Sequence, residues 1–89
     1  MNLQDILADI HALEDDLLAF ERRYGVRSET FYAAYVNGEE PEDDHWVLDF
    51  GEWASVYRTW LARLAAYRNE VQRRQQNTFS LSGLVRVPA

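Results

Sequence analysis

Apolar residues recur at alternating steps of three and four along two long stretches of this chain. The first stretch contains Leu3, Ile6, Ile10, Leu13, Leu17, Phe20 and Tyr24, and the second contains Trp46, Phe50, Trp53, Tyr57, Trp60, Leu64, Tyr67 and Val71. This spacing places every member of a set on one face of an α-helix, whereas a half-buried strand requires a period of two. The pattern predicts two long amphipathic helices that pack against each other through these faces.

Local signals set the ends of the two long helices. Asn2 is suited to cap a helix that ends at Gly25, which predicts a helix over about 3–24. The second helix is predicted over about 45–76. Gly51 lies inside it at a cost of ~1 kcal/mol relative to alanine, which predicts the close approach of another backbone or ring.

A short helix is predicted between the two long ones. Ser28 is a candidate N-cap for an apolar stripe that stops at Asn37-Gly38, giving a helix over about 29–37. An acidic loop over 39–44 follows, and Asp43 or Asp44 is expected to cap the next helix.

The composition changes at residue 77. The segment that follows is β-prone and has no charge before Arg86, and an extended strand would place four apolar residues on one face: Phe79, Leu81, Val85 and Val87. We therefore predict an all-α fold, an antiparallel helical hairpin of two long helices with a short connecting helix and an extended C-terminal tail. Residues 1–76 form the helical domain and residues 77–89 the tail.

Length and composition exclude several classes. Eighty-nine residues suffice for one domain, and the absence of cysteine removes disulfides and thiolate-bound zinc as sources of stability. No apolar run approaches the ~20 residues of a membrane-spanning helix. The first residues lack the basic region and hydrophobic core of a secretory signal, so we expect a cytoplasmic protein.

Charge is unevenly distributed, with a net charge of −6. Residues 1–49 hold thirteen acids and three arginines, and residues 50–89 hold two acids and six arginines. The arginines after residue 57 recur at steps of about five, which scatters them around a helix instead of forming the basic stripe typical of nucleic-acid binding. An acidic balance also serves solubility alone, but it favours a basic partner over direct nucleic-acid binding.

No pattern of catalytic or metal-ligating residues is evident. Glu42 and His45 have the spacing of half a di-metal motif, but the other histidine, His11, has no glutamate three residues before it. There is no glycine-rich phosphate loop and no nucleophile elbow, and the paired carboxylates lie in polar runs. We expect a non-enzyme without metal or cofactor.

The aromatic ridge of the second long helix is the strongest candidate for a binding surface. We expect its first half to face the other helices as core. That helix spans ~48 Å against ~33 Å for the first, so its second half is expected to extend past its partner. The predicted partner-binding residues on the helix are Trp60, Leu61, Leu64, Tyr67 and Val71, and those in the tail are Phe79, Leu81, Val85 and Val87.

Three segments resemble a known family. Leu13-Glu14, then residues 20–32 (FERRYGVRSETFY) and 49–57 (DFGEWASVY), are similar to small prokaryotic antitoxin-like proteins of type II toxin–antitoxin pairs. The resemblance covers about residues 13–57. It implies a protein ligand, usually a basic ribonuclease-type toxin encoded nearby.

The predicted function is that of an antitoxin that neutralises a cognate toxin by direct binding. Two alternatives stay open: a self-associating helical scaffold or adaptor subunit, with a homodimer formed through the helical seams, and a helical subunit of a nucleic-acid-associated complex. A protein copurifying with the chain would favour the first of these three.

Overall fold

The computed structural model describes residues 2–77, with only the backbone of residues 76 and 77. It contains α1 (Leu3–Tyr24), α2 (Ser28–Val36) and α3 (Trp46–Asn77), and no strand within the described range. The prediction of an all-α chain with three helices is confirmed for these residues, and the predicted tail lies outside them. None of the described helices combines the length and apolarity that a bilayer crossing demands.

The ends of α1 are formed by the predicted caps. The Asn2 side chain accepts a hydrogen bond of 2.8 Å from the backbone N–H of Asp5. At the other end Gly25 has φ +70°, and its N–H donates to the carbonyl of Glu21 at 2.8 Å. The left-handed conformation at Gly25 stops α1 and turns the chain toward α2.

Ser28 does not cap α2, contrary to the prediction. It is the first helical residue, and Arg27 occupies the N-cap position without a side-chain hydrogen bond. The Ser28 hydroxyl instead accepts from the indole N–H of Trp53 at 2.9 Å. A buried indole N–H needs a hydrogen-bond acceptor. The Ser28 hydroxyl is that acceptor and does not cap α2.

Helices α1 and α3 run antiparallel along each other. Arg23 of α1 pairs with Asp49 near the start of α3, and Asp9 pairs with Arg63 two-thirds of the way along α1 toward its N-terminus. Continued at the same rate, this register brings Leu3 level with about residue 70. The overhang of α3 is therefore only about its last two turns, much shorter than the predicted second half.

The main core lies where all three helices meet. Trp53 is 1% exposed and stacks on Phe31 with ring centroids 3.9 Å apart and planes 1° from parallel. The Phe20 ring of α1 also stacks with Trp53, with ring centroids 5.5 Å apart. Leu17 and Ala54 complete this buried cluster. A second buried pair, Ile6 and Ile10, lies further along α1.

Gly51 does not mark a close approach. A Cβ built on it would meet no atom within 4 Å beyond its own helix and chain neighbours. The prediction of a close approach at Gly51 was wrong, because the space beside it would admit a Cβ.

Candidate functional site

Trp60 is the first of the predicted partner-binding residues along α3. It is half-buried, and its indole N–H donates to a carboxylate oxygen of Glu14 at 3.2 Å. Its ring lies 5.5 Å from that of Tyr57. Trp60 thus extends the core along α1, and part of its ring remains accessible.

The other predicted residues of α3 divide between the seam and the surface. Leu64, Tyr67 and Val71 are half-buried, whereas Leu61 is 43% exposed. The register of α1 and α3 brings Leu64 and Tyr67 level with the first two turns of α1, whereas Val71 lies in the overhang of α3. The predicted residues Phe79, Leu81, Val85 and Val87 lie outside the described residues.

The arginines of α3 form mainly local contacts. Arg63 reaches Asp9 across the helices at 3.0 Å. Arg73 and Arg74 both contact Glu70 within their own helix, and their hydrogen bonds and charges lower the pKa of Glu70 to about 2, led by the bond from Arg73 and against partial desolvation. Among the described ion pairs of the α3 arginines, only that of Arg63 reaches α1.

A buried hydrogen-bonded chain fixes the junction of the three helices. The backbone N–H of Ser28 donates to Glu21 at 2.9 Å, while the Ser28 hydroxyl accepts from Trp53. Partial burial acts to raise the pKa of Glu21, but hydrogen bonds from the Ser28 side chain and backbone, with the Arg27 charge, lower it below its ordinary value. The chain joins α1, the start of α2 and the middle of α3.

A second polar link joins α1 to the first turn of α3. The Tyr24 hydroxyl donates to Asp49, and the Arg23 guanidinium donates to the same carboxylate oxygen at 3.0 Å. The Tyr24 bond is the main cause of a lowered pKa at Asp49; partial desolvation opposes it and Arg23 adds to it. The link holds the Tyr24 ring beside Trp46 and Phe50.

Beside this link, a cleft of about 770 Å³ opens between α2, the 37–45 linker and the start of α3. Its apolar lining includes Tyr24, Val26, Phe31, Ala34, Tyr35, Trp46, Phe50 and Trp53. Trp46 is 37% exposed and stands at the rim, so the predicted core role applies to it only in part. Six of the fourteen lining residues are aromatic, and aromatic side chains are common in binding pockets.

Carboxylates line the linker side of the cleft. Glu39, Glu40 and Glu42 are exposed and belong to the lining. None of the three takes part in an ion pair within the described residues. Asp43, next in sequence, accepts a hydrogen bond of 2.8 Å from the His45 backbone N–H, within the turn that precedes α3. Capping of α3 by Asp43 or Asp44 stays a prediction.

Acidic side chains of the described residues do not gather into a metal site. Within residues 2–77, no three side chains of His, Cys, Asp or Glu converge closely enough to hold an ion. Asp43 and His45 approach each other at 3.4 Å, as a pair without a third ligand.

The cleft was missed by the helical periodicity but has a signal in the sequence. From Ser28 to Tyr57 the chain holds eight acids and no lysine or arginine. The comparison of residues 1–49 with residues 50–89 obscured this acidic interval, because α1 and its arginines were counted together with it. The interval spans α2, the linker and the first turns of α3. A count by predicted element would have located the acidic end of the molecule.

Comparison with protein-family models, curated proteins and solved structures found no match for this chain. What bears on function is therefore the surface of the molecule itself and the sequence resemblance given above.

Proposed function

We propose that this chain is a non-catalytic protein-binding module, an antitoxin that neutralises a cognate toxin by direct binding. The observation that supports it best is the aromatic cleft bordered by Glu39, Glu40 and Glu42. A small chain that leaves Trp46 and Val26 more than a third exposed, beside carboxylates that form no ion pair within residues 2–77, has a surface suited to a partner with apolar and basic groups.

The antitoxin assignment depends on the resemblance of residues 20–32 and 49–57. Those segments contain Glu21, Ser28 and Trp53, which form the buried hydrogen-bonded chain, and residues of the cleft floor. The resembling residues thus form the junction that positions the cleft. A toxin of basic character would complement the acidic interval from Ser28 to Tyr57.

Two further contact regions belong to the proposal. The partly exposed edge of α3 offers Trp60, Leu61, Leu64, Tyr67 and Val71, and the tail offers Phe79, Leu81, Val85 and Val87. Truncation after Gln76 removes the tail and so distinguishes the contributions of these two regions to binding. If the tail contacts the toxin, the truncated chain keeps its helicity and melting temperature but loses affinity.

The decisive experiment is coexpression of the chain with the protein encoded by the adjacent gene. We expect growth inhibition by that protein alone, relief on coexpression, and a complex that survives size-exclusion chromatography. If the neighbouring protein is harmless, or if no complex forms between the purified proteins, the antitoxin proposal fails.

Self-association is a second candidate function, favoured by exposed leucines away from the cleft. Leu7 and Leu18 of α1 and Leu61 of α3 are each about 40% exposed. A helical scaffold would use such residues to pair with a second copy. Sedimentation equilibrium of the purified chain tests this: a monomer throughout the micromolar range would exclude it.

A further inference from the structure

We infer that the cleft between α2, the 37–45 linker and the start of α3 is the docking site for a basic segment of the protein partner, with an arginine or lysine held between the aromatic floor and the linker carboxylates. The inference rests on the proposed function, because it takes a protein partner as its starting point. It adds where the partner binds and what chemistry is recognised.

The charge of this end selects a cation. Of the acids from Ser28 to Tyr57, two have ion-pair partners on α1 or the α1–α2 turn: Asp49 with Arg23, and Glu29 with Arg27. The three that line the cleft have none in the described part of the chain. Arg23 also lines the cleft, but it is paired with Asp49, so the charge of the lining stays negative. This charge attracts a cation and repels a phosphate backbone, so nucleic acid is not the expected occupant.

The floor of the cleft adds a second requirement. Tyr24, Trp46 and Phe50 lie ring against ring, with centroids 5.3 to 6.3 Å apart, and Trp46 presents exposed area at the rim. A cation over the face of an aromatic ring is attracted by its quadrupole, and arginine does this most often. Carboxylates beside such rings supply the hydrogen-bond acceptors that a guanidinium needs.

The elements that border the cleft also carry exposed apolar residues outside its lining, which favours a polypeptide over a small cation. Val47, on the same turn as Trp46, is 52% exposed, and Val36 at the end of α2 is 57% exposed. A single small ion in the cleft would leave both uncovered. A helix or strand bearing arginine together with apolar residues would cover all of this area.

The probe is a synthetic amphipathic peptide of about four helical turns with arginine on one face and leucine on the other. Its control has citrulline at every arginine, which keeps the shape and removes the charge. Binding to the full-length chain is followed through the indole N–H signals of the three tryptophans in nitrogen–proton correlation spectra. We expect the arginine peptide to shift Trp46 most, and the citrulline peptide to bind at least ~10-fold more weakly.

Two matched pairs of variants locate the site. Glu40→Gln with Glu42→Gln removes two charges from the cleft, and Asp15→Asn with Asp16→Asn removes two from the exposed face of α1. We expect roughly a 3- to 10-fold loss of affinity for the first pair and little change for the second, since exposed charges act mainly at short range. Ala34→Gln places a polar side chain over the floor, and Ala33→Gln on the exposed side of α2 is its control.

Several results would overturn the inference. The first is an equal loss of peptide affinity for the two charge-removing pairs of variants. The second is equal affinity for the citrulline and arginine peptides. The third is a largest indole N–H shift at Trp53 or Trp60 instead of Trp46. A concentration-dependent shift of Trp46 without peptide would assign the cleft to a second copy and also overturn it.

If the adjacent gene product is neutralised equally well by the Glu40→Gln, Glu42→Gln variant, the inference fails while the antitoxin function stands. If peptide binds but no toxin exists, the function fails instead.

Discussion

At the end of the molecule where α2 lies, α1 and α3 are joined by stacked aromatic rings, whereas toward the other end they are joined by aliphatic side chains and one ion pair. Trp53 is almost fully buried at the first end among rings from all three helices. At the second end, Ile6 and Ile10 are buried and Asp9 bonds Arg63, without a third helix.

The difference shows what a short third helix adds to a pair of long ones. An indole has two faces and one polar N–H, so its burial requires cover on both sides and an acceptor. Residues of α2 supply one ring, Phe31, and the acceptor, Ser28. Where only two helices meet, the aromatic side chain of Tyr67 stays half-buried.

The largest expected effect comes from breaking the three-helix end. Trp53→Ala should lower the free energy of unfolding by ~3–5 kcal/mol, since it removes stacking on Phe20 and Phe31 and leaves a cavity. Urea unfolding followed by circular dichroism measures it. Trp53→Phe, which keeps a ring but removes the N–H that Ser28 accepts, should lose less. A Trp53→Ala chain that unfolds at the wild-type urea concentration would show that this end is not the main core.

A smaller loss is expected at the two-helix end. Ile10→Ala should cost about 2–4 kcal/mol, because Ile10 is 5% exposed but has neither ring stacking nor a third helix around it. The same urea titration gives the value, with Ala12→Gly on the exposed face of α1 as a control for backbone effects. If Ile10→Ala proves more damaging than Trp53→Ala, the order of the two ends is reversed.

Gly51→Ala should stabilise the chain by about 0.5–1 kcal/mol. The added Cβ meets no atom within 4 Å, while alanine lowers the conformational entropy lost when α3 forms. Thermal unfolding should show a raised melting temperature. Gly25→Ala is the matched control and should destabilise, because φ of +70° disfavours a residue with a Cβ. A Gly51→Ala melting temperature below wild type would indicate crowding on that face of α3.

The smallest effect concerns the polar link at the three-helix end. The hydrogen bond from Tyr24, with Arg23, keeps the pKa of Asp49 below its ordinary value. Because the folded pKa lies below the unfolded one, the stabilisation from Asp49 is present above the unfolded pKa and is lost as pH falls through the folded pKa. Tyr24→Phe should raise the Asp49 pKa and weaken the pH dependence of stability below about pH 4.

Carbon-13 detection of the Asp49 carboxyl during an acid titration tests this directly. Arg27→Gln, which alters a charge near Glu21 but not the Asp49 contacts, serves as the control. An Asp49 titration midpoint that is the same in wild type and in Tyr24→Phe would show that the Tyr24 bond does not influence the carboxylate in solution.

The sequence by itself determined where the helices lie. The caps at Asn2 and Gly25 and the alternating apolar spacing predicted helix bounds that agree with the structure within about one residue. These signals are local: helical hydrogen bonds and caps join residues only a few positions apart, so a single stretch of chain holds the information.

Only the tertiary structure decided the role of residues whose partners are distant in sequence. The Ser28 hydroxyl accepts a hydrogen bond from Trp53, 25 positions away, and does not cap its own helix. The register set by Asp9 and Arg63 limits the overhang of α3. The cleft exists because α2 and the linker are placed beside the aromatic start of α3. The local sequence defines which residues share a helical face. Which residues cover that face depends on contacts between segments that are distant in sequence.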